Sequence, residues 1–164
     1  MDTFETSPKS NYRTELVSLS LERGWRVGAE LGLGTGLLLE ALLLSNKSVS
    51  IIGVDHFVRQ DRRSRVMSIA NKFSGRCTIH HMRTSEASFL VEQGSLDFVF
   101  VDASHKYGCV RNDIRLWWPK VKKGGWFGGH DYSVEYPGVL NAVNEKFGDY
   151  VSVSSSSIWS VEKR

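Results

Sequence analysis

Five short stretches of this sequence carry residue types that can do chemistry. The first is Glu30-Leu31-Gly32-Leu33-Gly34-Thr35-Gly36. Glycines at alternate positions allow a tight turn and a close backbone approach to a ligand. A helix following such a turn offers free N–H groups and a partial positive charge. A dinucleotide fingerprint would need its third glycine at position 37, where Leu37 stands. An acidic residue followed by G-x-G-x-G suits a carboxylate-bearing ligand better than a pyrophosphate; a tight turn without a ligand is the plainer alternative. The second stretch holds Asp55, 19 residues beyond Gly36. A carboxylate at a strand end can accept hydrogen bonds from both hydroxyls of a ribose, as nicotinamide and adenosyl cofactors both require. The third is Thr84-Ser85, whose hydroxyls suit either an adenine edge or the cap of the next helix. The fourth and fifth are Asp102-Ala103-Ser104-His105-Lys106-Tyr107 and Gly128-Gly129-His130-Asp131-Tyr132. Brought together, Asp102, His105, His130 and Asp131 could ligate a divalent metal or do acid–base work without one.

Such residues act together only if the chain places them on one side of a common scaffold. Apolar, β-branched runs predict strands at 27–31, 49–54, 76–81 and 96–101, with a weaker strand at 125–128. Helical spacing predicts helices at 12–23, 37–44, 64–73, 85–92, 110–121 and 137–147, with Pro119 bending or ending the fifth. Residues 151–153 and 158–161 resemble a closing hairpin. Strand–helix alternation of this kind predicts an α/β fold with a mostly parallel sheet. Ligands in such folds bind beyond the carboxyl ends of the strands, where all five stretches fall. Arg59, Arg62, Arg63 and Arg65 crowd one helix start, as a solvated face or as a hold on an anionic acceptor. Trp117, Trp118 and Trp126 are expected in the core.

Composition bounds the function classes. The chain has 164 residues, 41% of them hydrophobic, which is one domain's worth, with residues 1–25 as a short helical lead-in. The apolar content and the 8 Phe, 5 Tyr and 5 Trp exclude disorder. A net charge of +3 permits an anionic substrate without arguing for nucleic acid. Cys77 and Cys109 cannot build a disulfide framework, and no apolar segment is long enough for a membrane span. A cytoplasmic protein is the expectation.

The ELGLGTG loop, the GVD strand end, the run LDFVFVDASHKYGCVRNDIRLWWPKVKKGGWFGGHDY and the tail SIWSVEK resemble class I S-adenosylmethionine-dependent methyltransferases. The branch is methyltransferase family 24, related to metal-dependent O-methyltransferases of the catechol and macrolide-sugar types. The resemblance spans residues 26–163. It implies a Rossmann-like class I methyltransferase fold, a seven-stranded sheet closed by an antiparallel hairpin, with helices on both faces. It implies that Glu30, Gly32, Leu33, Gly34 and Gly36 hold the amino-acid part of S-adenosyl-L-methionine. Asp55 and His56 would lie at the ribose, and Thr84 or Ser85 by the adenine. Asp102 would border the cofactor, and Asp102, His130 and Asp131 would take the places of the metal ligands. His105 falls where the catechol enzymes carry a lysine base. The chain departs from the family at Ser104, where a second acid is usual, and at His130, where the catechol type has a carboxylate; both weaken the case for Mg²⁺. The short lead-in offers little material for a cap, so an open acceptor site or one completed by a second copy is expected.

These residues imply methyl transfer to a small-molecule hydroxyl by in-line displacement, with the protein aligning donor and acceptor. His105 would take the hydroxyl proton, or a cation on Asp102, His130 and Asp131 would lower the hydroxyl pKa. A non-catalytic S-adenosylmethionine-binding module is the first alternative. Nucleic-acid methylation and nicotinamide oxidoreduction stand behind it.

Overall fold

The computed structural model describes residues 11–164. Its elements run α1 Tyr12–Glu22, β1 Val27–Leu31, α2 Leu37–Ser45, β2 Ser50–Asp55, α3 Gln60–Lys72, β3 Cys77–His81, α4 Thr84–Ala87, β4 Leu96–Val101, α5 Tyr107–Trp117, β5 Val121–Gly129, α6 Pro137–Phe147, β6 Ser152–Val153 and β7 Trp159–Glu162. One seven-stranded sheet has the order β3-β2-β1-β4-β5-β7-β6. The first five strands are parallel, and β7 pairs antiparallel with β5 and β6. The mostly parallel α/β sheet is the one that strand–helix alternation predicts, and its seven strands with an antiparallel closing hairpin are what the family resemblance implies. No helix among the described residues is long and apolar enough to cross a membrane.

The period-two alternation of β4 divides the core between the two faces of the sheet. Phe98 and Phe100 point to the face covered by α1, α2 and α3, where they meet Leu16, Trp25, Leu39 and Val66. Val99 and Val101 point to the other face, which α5 and α6 cover with Ile114, Trp117, Val143 and Phe147. Gly28 makes room for the Phe98 ring, since a Cβ there would lie 2.0 Å from one of its carbons. Trp25 then stacks on the same ring at 4.2 Å. Trp117 and Trp126 are buried, as expected, and Trp118 is half-buried against Phe127.

Several boundaries differ from the sequence expectation. The fifth helix spans 107–117, and Pro119 sits in the 3-10 turn Trp118–Lys120 that ends it. Strand β5 begins at Val121, four positions before 125, because residues 122–124 are exposed and need no apolar pattern. The predicted helix at 85–92 is a single turn, Thr84–Ala87, followed by the 3-10 turn Ser88–Leu90. Its cap position is held by Arg83, whose N–H donates to the Glu86 carboxylate at 3.0 Å, so neither Thr84 nor Ser85 caps it. Cys77 is half-buried and Cys109 exposed, and both are free thiols.

Helix α1 packs Leu16 into the core with Tyr12 and Leu19 beside it, and polar anchors hold it as well. Asn46, at the end of α2, is buried and donates through Nδ2 to Ser20 Oγ at 2.9 Å and to the Trp25 carbonyl at 3.0 Å. Glu15 accepts from Ser154 Oγ at 3.1 Å and from the Ser156 hydroxyl in the β6–β7 turn. Asn46→Ala leaves the buried Ser20 hydroxyl and Trp25 carbonyl unpaired. It should lower unfolding free energy by about 2–3 kcal/mol, read from urea denaturation; a change below about 0.5 kcal/mol would show that water replaces the amide at no cost.

Asp113, on α5, is buried and accepts a hydrogen bond from Thr84 Oγ1 at 2.6 Å. Burial pushes its carboxyl from 3.8 up to about 6. Between those values the folded state holds the proton more tightly than the unfolded chain, so stability falls as pH rises through that window. Asp113→Asn keeps an acceptor for Thr84 and removes the charge. The variant should match the parent near pH 4 and exceed it by about 2 kcal/mol near pH 8. A parent that instead gains on the variant as pH rises would mean that a cation stabilises this carboxylate.

Candidate active site

The carboxyl ends of β1, β2, β3 and β4 open onto one cleft of about 1200 Å³. On its β1 side the backbone leaves Leu31 and turns at Gly32, with φ +87°. A Cβ on Gly32 would lie 2.2 Å from the Asp102 carbonyl oxygen, so glycine is required there by both conformation and space. Gly34 and Gly36 also have positive φ, and Gly36 stands at the N-terminus of α2. Asp55 Oδ2 accepts from the backbone N–H groups of Leu33 at 2.9 Å and Gly34 at 3.2 Å, and Oδ1 from that of Phe57 at 2.7 Å. The carboxylate at the end of β2 therefore shapes the glycine loop while still bordering the cleft. His56 follows it, its Nδ1 3.9 Å from Asp55 Oδ1, with its side chain largely exposed to the cleft.

Glu30 is 3% exposed, and its Oε2 has no hydrogen-bond partner among the described residues. Burial, with Asp102 and Asp55 nearby, pushes its carboxyl well above the usual range. It lies on a smaller hollow of about 250 Å³ under the glycine loop, bordered also by Tyr12, Arg13, Leu33, Arg62 and Asp102. The sequence patterns gave no reason to single out Tyr12 and Arg13. Only the docking of their helix brings them to the site. At the far end of the cleft lie Thr84 and Ser85. The Thr84 hydroxyl proton is committed to Asp113, and its carbonyl accepts from Trp117 Nε1 at 3.1 Å. Of the crowded arginines, Arg59 pairs with Asp61 and Arg65 with Glu40, whereas Arg62 borders both cavities.

The strand ends of β4 and β5 bring Asp102, His105, His130 and Asp131 together. His105 Nε2 is 2.7 Å from Asp131 Oδ2 and 4.0 Å from Asp102 Oδ1. His130 Nδ1 is 3.0 Å from Asp131 Oδ1, and its ring lies 4.5 Å from that of Tyr12. The Asp131 carboxylate thus sits between two imidazoles, on a residue with φ +60°. Burial, then the charge of Asp131, pushes the Asp102 carboxyl up to about 7. Ligand atoms of Asp102, His105 and Asp131 lie within 4.8 Å of one another. That oxygen, nitrogen, oxygen donor set suits a divalent cation. It differs from the trio implied by the family resemblance in having His105 where His130 was expected. The backbone of 105–107 is braced from behind by α6: a Cβ on Gly138 would lie 2.2 Å from the His105 carbonyl oxygen. The His105 ring lies 4.7 Å from that of Tyr136, and the two border a shallow hollow that adjoins the main cleft.

Comparison with known proteins bears on this arrangement. A family model described as a methyltransferase domain, methyltransferase family 24, matches residues 26–132. An uncharacterized protein of Acanthamoeba polyphaga mimivirus is 30% identical over 130 residues, covering 73% of this chain and 58% of the relative. This chain therefore spans little more than half the length of that curated relative. The structure of a Podospora anserina methyltransferase bound to SAH superimposes with a TM-score of 0.75 at 11% identity, covering 93% of this chain and 78% of that one. A TDP-rhamnose 3′-O-methyltransferase of calicheamicin biosynthesis gives a TM-score of 0.74 at 14% identity, covering 92% and 77%. With its glycine loop, its strand-end acids and the family match across most of the sheet, the chain belongs to methyltransferase family 24, a family of methyltransferase domains.

Proposed function

We propose that this chain is an S-adenosylmethionine-dependent methyltransferase acting on a hydroxyl of a small molecule. The observation that carries it is the His105–Asp131 pair at 2.7 Å, beside a cleft whose opposite wall is the glycine loop. Glu30 and the Gly32–Gly36 loop take the amino-acid end of the donor. Asp55 and His56 lie at the ribose, and Thr84 and Ser85 at the adenine. The SAH bound by the Podospora relative and the sugar acceptor of the TDP-rhamnose enzyme support this assignment.

With Asp131 ionised, its contact with His105 is a hydrogen bond donated by Nε2–H. That leaves the Nδ1 lone pair to accept a proton, with Asp131 fixing the tautomer as in other His–Asp pairs. The acceptor oxygen attacks the methyl carbon, and the sulfur–methyl bond breaks with its electron pair moving to sulfur. The hydroxyl proton passes to His105. The products are the methyl ether and S-adenosylhomocysteine. The hollow beside Tyr136 and His105 provides the acceptor with an aromatic wall next to the base.

Metal assistance is the alternative, favoured by the convergence of Asp102, His105 and Asp131. Those residues would hold the cation, which would lower the pKa of the acceptor hydroxyl. His105 would then be a ligand rather than a base.

Titration with S-adenosylhomocysteine, with Mg²⁺ and again with EDTA, tests the donor assignment. Micromolar binding in either buffer is expected, and none in both would overturn it. Under the base mechanism, Asp131→Asn and His105→Ala should each lower turnover about 10²–10⁴-fold, with S-adenosylhomocysteine affinity within about threefold of the parent. Turnover that vanishes in EDTA and returns with Mg²⁺ or Mn²⁺ would replace the base mechanism with the metal one.

A further inference from the structure

The small hollow under the glycine loop is bordered by a buried carboxyl, Glu30, and a half-buried guanidinium, Arg13, and the two do not pair. Glu30 contributes a carboxyl whose Oε2 is without a partner among the described residues. Arg13 contributes a guanidinium whose Nε is buried and likewise without a partner among them. No ion pair within 4.0 Å joins Arg13 to any acid among the described residues, although both side chains border the same 250 Å³ space. Buried polar atoms without partners on both sides of a small cavity are each costly to leave unsatisfied. A zwitterion of matching size satisfies both.

We infer that Arg13 is a specificity-determining residue of the donor site, carried there on α1, and that it binds the carboxylate of the donor's α-amino-acid end while Glu30 binds its ammonium. The inference rests on the donor assignment above and extends it to a helix outside the matched methyltransferase domain, which begins at residue 26. Helix α1 is held firmly enough for this role. Asn46 pins its C-terminal part, Glu15 ties it to the β6–β7 turn, and Leu16 is buried in the core between them. Tyr12 stacks beside His130, and the Arg13 guanidinium lies 4.8 Å over the Tyr12 ring, which sets its direction. Arg62 is the competing cation, since it borders the same hollow from α3.

The test pairs a side-chain change with removal of one ligand group. S-adenosylhomocysteine and its decarboxylated amine, which keeps the ammonium, are titrated into the full chain and into its Arg13→Gln and Arg62→Gln variants. The parent should bind S-adenosylhomocysteine about 10–50-fold more tightly than the amine, the scale of one charge-assisted contact. Arg13→Gln should lose that preference by weakening S-adenosylhomocysteine alone, and Arg62→Gln should keep it. A preference unchanged in Arg13→Gln, or lost only in Arg62→Gln, overturns the role of Arg13 and leaves the donor assignment standing. Equal weakening of both ligands in Arg13→Gln, with a lowered melting temperature, assigns Arg13 to the docking of α1 and also overturns it. A parent that binds neither ligand removes the donor assignment itself.

Discussion

Between Gly32 and the carbonyl of Asp102 there is no room for a side chain. The amide of Asp102 donates to the Leu31 carbonyl at 2.8 Å, so the ends of β1 and β4 meet backbone to backbone just where both strands stop. Everything chemical in this fold is arranged around that junction. The glycine loop leaves from one side of it and the Asp102–Tyr107 segment from the other. A ligand under the first faces the Asp102 carboxyl and the His105 imidazole on the second. A larger residue at 32 would pry the strand ends apart and separate the two halves of the site by ångströms, a displacement that reactions governed by alignment tolerate poorly.

The charges around this junction are crowded rather than neutralised in pairs. Glu30 and Asp102 are both acids in a poorly hydrated setting, and each is pushed toward its neutral form. Asp55 instead accepts hydrogen bonds from three backbone N–H groups, which tie it to the glycine loop. Asp131 is flanked by two imidazoles instead. A site with this many partly satisfied groups stores electrostatic free energy that a charged ligand can release, which is how enzymes turn local instability into binding and alignment.

The departures from the family pattern have a structural counterpart. At Ser104, where the family resemblance implies an acid, the hydroxyl accepts from the Lys106 amide at 3.3 Å. Where the family resemblance placed His130 among the ligands, that ring packs on Tyr12 of α1. The N-terminal helix thus becomes part of the site's wall.

Much of this was legible in the sequence, because local periodicity and strand-end punctuation are properties of neighbours along the chain. The apolar runs at 27–31 and 96–101, the glycines at 32, 34 and 36, and the acids at 30, 55, 102 and 131 already implied a parallel α/β sheet with its chemistry at the carboxyl ends. Patterns weaken where burial does, so the exposed residues 122–124 of β5 carry no strand signal and α4 is shorter than its spacing predicts. Tertiary structure alone decided that Asp55 braces the glycine loop, that Thr84 commits its hydroxyl to Asp113, that His105 rather than His130 converges with Asp102 and Asp131, and that Arg13 enters the hollow beside Glu30. Each of these depends on which residues far apart in the chain share one few-ångström space. Strand order, helix docking and rotamers set that sharing, and no spacing along the chain encodes it.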